Sequence, residues 1–234
     1  MGGQLHIIPA AGLATRMGGL PKFLLPVGSS GKPLLRSHLE MSHSANLEAV
    51  VMLHPKLFEF GKELIGSWNF PNVRVFSVES PTMTKTVKEA IRLSKTQETI
   101  FSISMPDTFF SNPDSFKGSF LLDLRKKAPS LALWRIREDQ AGKLGQVLIS
   151  RDSSFVLDMI DKDPNCGYEH IWGMMALHRE LIEKFNESNS HPGISLGENL
   201  KSGLKISWVE TVGDYLDCGT PTEYYRAFSY NLGT

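Results

Sequence analysis

The sequence predicts an α/β fold: a Rossmann-like, mostly parallel sheet with helices on both faces and an antiparallel extension. Three observations point there. Short apolar runs alternate with stretches of helical periodicity three times between residues 5 and 94, the rhythm of a parallel sheet with crossover helices. Those runs, such as Glu48 to Leu53 (E-A-V-V-M-L), are almost continuously apolar, as strands buried on both faces must be. Near residue 143 the rhythm changes, and two strand-like runs follow each other across nothing more than the polar turn Arg151 to Ser154. At 234 residues the chain suits one domain, 1–234.

In order, the first strand is Leu5 to Pro9, which stops at Ala10, Ala11 and Gly12. A helix is predicted to open at Gly31-Lys32-Pro33, with Pro33 at its first position. Strand Glu48 to Leu53, helix Lys56 to Trp68, strand Val73 to Val78 and helix Lys85 to Ser94 follow. Strand Thr99 to Ser104 then runs into Met105-Pro106-Asp107-Thr108, ahead of a helix within Ser111 to Ala128 and a strand Ser130 to Ile136. Lys143 to Ile149 and Phe155 to Ile160 form the hairpin, and Glu169 to Leu177 is a strand with Gly173 inside it. A helix His178 to Glu187, a loop beginning at His191-Pro192-Gly193, a short helix near Gly197 to Ser202 and a strand Lys205 to Glu210 complete this part. The chain closes with L-D-C-G-T-P, in which Thr220 caps and Pro221 begins the last helix.

In open α/β sheets, ligands bind beyond the carboxyl ends of the strands. The first such end carries A-A-G-L-A-T-R-M-G-G-L-P-K. Small residues let backbone N–H groups approach phosphate oxygens, and Gly12 can reach backbone angles closed to other residues. Arg16 can fork onto phosphate and Lys22 adds a compact charge, so the loop reads as a nucleotide-phosphate cradle. It is neither a P-loop, which needs Lys-Ser or Lys-Thr directly after its last glycine, nor a G-x-G-x-x-G dinucleotide loop. Asp107 lies just past a buried strand on the same edge. It could begin a turn or cap the next helix, but a second carboxylate in a like position, Asp217, favours a divalent metal held against phosphates.

The string A-A-G-L-A-T-R-M, followed by P-K-F-L-L-P-V and G-K-P-L-L, resembles the opening signature of the sugar-phosphate nucleotidyltransferases, or NDP-sugar pyrophosphorylases, glucose-1-phosphate thymidylyltransferase among them. L-D-C-G-T-P resembles their W-x-D-x-G-T-P segment, L-G-Q-V their Y-G-V-V, and Asp161-Lys162 with Pro164 their E-K-P. The resemblance implies a nucleotide-diphospho-sugar transferase fold, with a nucleotide-binding half at about 1–125 and a sugar-phosphate-binding half at about 130–234. It implies transfer of a nucleoside monophosphate from an NTP to a sugar 1-phosphate with release of pyrophosphate. Ala10, Ala11 and Gly12 would contact the nucleotide, and Arg16 and Lys22 would neutralise its phosphates. Asp107 and Asp217 would hold Mg²⁺, and Gly145, Asp161, Lys162 and Gly173 would border the sugar phosphate. The chain departs from the pattern at Pro106, Leu144 and Asp163, and at residues 79–87, where the relatives that read uracil or thymine carry Gln and Gly. UTP, CTP, dTTP and GTP therefore all stay open.

Lys plus Arg and Asp plus Glu are balanced at 25 each, which gives no basic field for nucleic acid. No signal peptide or apolar run of membrane-spanning length is seen, and the 2 cysteines, Cys166 and Cys218, have no metal spacing, so a cytoplasmic enzyme is expected. A homo-oligomer is compatible with the sequence. Three rivals share parts of the pattern: a cytidylyltransferase for a non-sugar phosphate such as phosphocholine, a molybdenum-cofactor nucleotidyltransferase suggested by R-M-G-G, and a catalytically silent nucleotide-binding subunit.

Overall fold

The computed structural model describes residues 5–12, 20–28 and 30–230. Its centre is a set of four parallel strands: β1 (Leu5–Ala10), β4 (Glu48–Leu53), β5 (Val73–Ser77) and β6 (Ile100–Ser104). They lie in the order β6-β1-β4-β5, all parallel. The chain therefore adds β4 and β5 on one side of β1 and then crosses to place β6 on the other. This reversal makes the β1/β6 junction the switch point where an open α/β sheet leaves a crevice at its carboxyl edge.

Alternation along β1 explains the layers. Leu5 and Ile7 face a core shared with Val87, Ala90 and Ile91 of helix α3 (Met83–Ser94). Ile8 and Ala10 face the opposite core, shared with Leu35 and Leu39 of α1 (Leu34–Ser44) and Ile65 of α2 (Pro55–Ser67). Successive strand side chains point to opposite faces, so a strand covered by helices on both must be apolar throughout. β1 is buried along its whole length.

On the far side of β6 the sheet turns antiparallel. β11 (His170–His178) pairs antiparallel with β6, β8 (Ser130–Arg135) and β9 (Gly145–Ile149), and β9 forms a hairpin with β10 (Val156–Asp161). β12 (Ser207–Glu210) joins β8 in parallel. The predicted mixed sheet and its antiparallel extension are thus both present.

Four details differ from the expectation. Lys32–Pro33 is a two-residue strand, β3, paired with β2 (Pro26–Val27), so α1 begins at Leu34 with Pro33 in the N-cap position. The helix after β11 is only α5 (Arg179–Glu183). The stretch read as a loop at His191-Pro192-Gly193 instead starts a full helix, α6 (Pro192–Lys201), with Pro192 in the first turn. A further short pair, β7 (Thr108–Phe110) with β13 (Tyr215–Asp217), went unpredicted and matters most for the site. No helix among the described residues is long and apolar enough to cross a membrane.

Candidate active site

A cleft of about 420 Å³ opens at the carboxyl edge of the sheet, against the ends of β1 and β6. Ala10, Ala11 and Gly12 line its floor where β1 ends. Among the described residues, a Cβ placed on Gly12 would meet nothing within 4 Å. Its backbone is not in the left-handed region. The conformational freedom expected of this glycine is therefore not used at Gly12 itself. Arg16, the cradle's predicted phosphate fork, lies outside the described residues.

Lys22 opens a short 3₁₀ turn, Lys22–Leu24, held by bonds from the amides of Leu24 and Leu25 to the carbonyls of Pro21 and Lys22. Its Nζ donates to Asp107 Oδ2 at 3.0 Å, with both side chains mostly shielded. Asp107 sits in the turn that leaves β6, where the Thr108 amide bonds to the Met105 carbonyl. Thr108 is the register partner of Asp217 across β7 and β13, and the Cys218 amide donates to the Asp107 carbonyl at 2.9 Å. Two carboxylates 110 residues apart in the sequence are in this way fixed side by side at the cleft. The Gly219 amide bonds to Asp217 Oδ1 at 2.9 Å, and a Cβ at position 219 would stand 2.8 Å from that oxygen. Glycine is needed there by the carboxylate itself. Thr220 accepts a bond from the Glu223 amide and Pro221 starts helix α7 (Pro221–Ser229), as the sequence predicted.

Cys218, buried beneath these carboxylates, has its thiol pushed well up by burial and then by the charges of Asp107 and Asp217. It stays protonated and is no nucleophile. Tyr215 is raised in the same way, by burial first and Asp217 next, and its Oη accepts a bond from Thr108 Oγ1.

The opposite wall comes from the antiparallel extension. Gly145, Asp161 and Lys162 all line the cleft, from the start of β9 and the end of β10. Asp161 Oδ1 lies 3.2 Å from His191 Nε2, and that hydrogen bond, more than any other influence, holds the carboxyl below its ordinary range. Lys162 adopts φ +52°, a left-handed backbone unusual for a non-glycine residue, which turns the chain sharply at the end of the strand. Such conformations concentrate at functional sites. Gly173 is not among the residues that line the cleft. It sits at a bulge in β11, where a Cβ would overlap the rings of Tyr215 and Trp134. The close approach at Gly173 is that of the rings of Trp134 and Tyr215, the latter itself a cleft residue.

Ser80, Thr82, Met83 and Thr86, from the 79–87 stretch where the relatives carry base-reading residues, line the cleft, as does Trp172; His191, which sequence reasoning missed, stands next to Asp161. Trp172 is 9% exposed and serves both as core and as cleft wall. His191 could have been found from H-P-G, a helix-start signal once Pro192 is placed in the first turn.

Asp107 and Asp217 offer hard carboxylate oxygens, the donor type Mg²⁺ takes when it binds through one or two carboxylates plus substrate phosphates. Among the described residues no group of three or more potential metal ligands occurs. Two carboxylates beside a lysine fit a metal that arrives with phosphate, and not an all-protein cage.

Fold and site together define a nucleotide-handling α/β protein whose crevice lies at the switch point. Residues 6–138 match the profile of the MobA-like NTP transferase domain, and the chain belongs to that family of nucleotidyltransferases. No curated protein sequence matches it. Among solved structures, a Bacillus anthracis protein described as a glucose-1-phosphate thymidylyltransferase, in complex with sucrose, superposes with TM-score 0.80 at 13% identity, over 96% of this chain and 93% of that one. A UDP-glucose pyrophosphorylase with UDP-glucose bound gives TM-score 0.76 at 15% identity, over 96% of each chain. HddC from Yersinia pseudotuberculosis gives 0.71 at 19% identity, over 96% and 97%. These likenesses establish the fold, which is that of the sugar-phosphate nucleotidyltransferases.

Proposed function

We propose that the chain transfers a nucleoside monophosphate from an NTP to a sugar 1-phosphate, forming an NDP-sugar and pyrophosphate. The observation that carries this reading is the composition of one cleft. Its sheet edge presents Lys22 with Asp107 and Asp217, and its facing wall presents Asp161 and Lys162. The family match ends at residue 138 and does not choose an acceptor; the sugar assignment rests on residues 139–234 and on the fold. Residues 1–125 then form the nucleotide half and 130–234 the acceptor half.

In the reaction, a phosphate oxygen of the acceptor attacks the α-phosphorus, the α–β bridging P–O bond breaks, and pyrophosphate leaves with the electron pair. The nucleophile is already an anion, so no general base is needed, and the protein's task is alignment and charge neutralisation. Ala10, Ala11 and Gly12 present backbone to the nucleotide. Lys22, carried against Asp107, can swing its ammonium onto the α-phosphate, and Arg16 neutralises the leaving group. Lys162 holds the acceptor's phosphate, and Asp161, ionised and acceptor-only, takes hydroxyl donors. Mg²⁺, when held by Asp107 and Asp217, supplies charge neutralisation at the phosphate oxygens. Gly219 keeps Asp217 oriented for that role.

Asp107→Ala and Asp217→Ala test the reading. Each is expected to lower the rate of Mg²⁺-dependent pyrophosphate release by on the order of a hundredfold, about 2.7 kcal/mol of transition-state stabilisation. Near-normal rates in both would remove the metal assignment.

A further inference from the structure

We propose that His191 is a specificity-determining residue for the acceptor, acting through the Asp161 carboxylate. The inference rests on the nucleotidyl-transfer reading given above. Beside the main cleft lies a second cavity of about 310 Å³, and the two share Gly145, Asp161, Trp172 and His191. An acceptor whose phosphate is held near Lys162 must pass its remaining atoms along this shared wall.

The wall is built with little tolerance. Trp172 is clasped between two glycines from different elements. A Cβ on Gly145 of β9 would overlap its indole nitrogen, and one on Gly193 of α6 would lie 2.5 Å from its Cζ2. The imidazole of His191 packs against the same indole, with ring centroids 5.5 Å apart. Pro192 in the first turn of α6 and the bond from the Met83 amide to the Ser190 carbonyl, 2.9 Å, fix the backbone on either side of His191. The imidazole is thereby held where its Nε2 meets Asp161 Oδ1 at 3.2 Å.

The chemistry follows from this geometry. An ionised carboxylate is acceptor-only, so Nε2 must carry the hydrogen and donate it. Oδ1 is then occupied and the carboxylate is fixed in rotation, which leaves Oδ2 to accept from a hydroxyl of the acceptor. Trp172 offers an apolar face to a ring. The ligand class is a hydroxylated ring carrying a phosphate, and a carboxylate held in one rotation discriminates between epimers that a freely rotating one would accept alike. Sites built to bond a hydroxyl reject analogues that lack it far more strongly than apolar pockets do.

The test uses the full chain and the variants His191→Ala and His191→Gln, the amide nitrogen of Gln being able to replace Nε2 as donor to Asp161. Glucose, galactose, mannose and N-acetylglucosamine 1-phosphates and phosphocholine are assayed for pyrophosphate release with UTP, CTP, dTTP and GTP. For the preferred acceptor, His191→Ala should raise KM by about tenfold, because the loosened Asp161 carboxylate gives up its charge-assisted hydrogen bond to the acceptor's hydroxyl. It should also compress the differences among the hexose phosphates, with the KM for NTP changed by less than about twofold. His191→Gln should recover most of the loss. An unchanged acceptor KM in His191→Ala, an equal rise in the KM for NTP, or a Gln variant no better than Ala would overturn the inference, as would phosphocholine as the preferred acceptor. Should the wild type release no pyrophosphate, the transfer reading fails and equilibrium titration with the same phosphates decides the inference. Affinity about tenfold weaker in His191→Ala and recovered in His191→Gln then supports it. Equal affinities, or no binding by the wild type, overturn it.

Discussion

Between pH 7 and pH 5 the protein should lose stability through two buried histidines, His6 and His38, both pushed down chiefly by burial, and the share of His38 can be isolated. His38 on α1 is fully buried, and burial, the dominant influence, lowers its pKa from 6.5 to about 4 against the smaller opposing effects of a bond to the Thr108 carbonyl and the charge of Asp107. It belongs to a chain of polar groups beneath the cleft: Ser42 Oγ to His6 Nδ1 at 2.5 Å, His6 Nε2 to Ser104 Oγ at 2.9 Å, Ser104 Oγ to His38 Nδ1 at 3.1 Å, and His38 Nε2 to the Thr108 carbonyl at 3.2 Å. With His38 neutral, its Nε2 donates to the Thr108 carbonyl and its Nδ1 accepts from Ser104 Oγ. A proton on His38 Nδ1 would face the Ser104 hydrogen and break that order. The folded pKa is depressed, so the stabilisation is fully present above the unfolded value of 6.5 and is lost as pH falls toward 4. A drop of this size corresponds to about 3 kcal/mol at about 1.36 kcal/mol per unit, of which about 2 kcal/mol is gone by pH 5. Urea unfolding at pH 7 and pH 5 measures it, with His38→Gln as the non-titrating reference. The wild type should lose about 2 kcal/mol more than the variant over that interval. Parallel losses in the two proteins would refute the reasoning.

Other outcomes follow from the same structure. Asp107→Ala and Asp217→Ala should reduce turnover as stated above while both proteins stay folded, checked by pyrophosphate release alongside circular dichroism. Gly118→Ala should destabilise, because a Cβ there overlaps the backbone of Ser44 and Ala45 at the end of α1. A cost of about 2 kcal/mol, read as a melting temperature about 4–8 °C lower, is expected. Gly66→Ala, on α2 with nothing within 4 Å of the added carbon, should be neutral or stabilising by up to about 1 kcal/mol.

Much of this architecture was legible because its causes are local. Continuous apolar runs with helical stripes between them could be satisfied only by a two-sided parallel sheet, and R-D-S-S could only be a hairpin turn. Asp107 and Asp217 were singled out from strand ends and motif, and the β7–β13 pairing supplies the reason both line one cleft. That pairing was not readable, since two three-residue strands separated by more than a hundred positions leave no periodicity. The first turns of helix α6 were missed, its later part being expected near Gly197 to Ser202, because Gly193 weakens a helix signal; that glycine is there for a tertiary reason, to seat Trp172. Gly173 signalled close approach, and the rings of Tyr215 and Trp134 make one there; a glycine does not say what approaches. His191 escaped because its significance lies in Asp161, thirty residues earlier in the sequence.

The central claim is tested most directly by incubating the protein with Mg²⁺, each NTP and each hexose 1-phosphate, and identifying the products by mass. The account predicts one pyrophosphate for every NDP-sugar formed, with none released when the sugar phosphate is omitted. Binding of both ligands without pyrophosphate, the behaviour of a silent nucleotide-binding subunit, would contradict it.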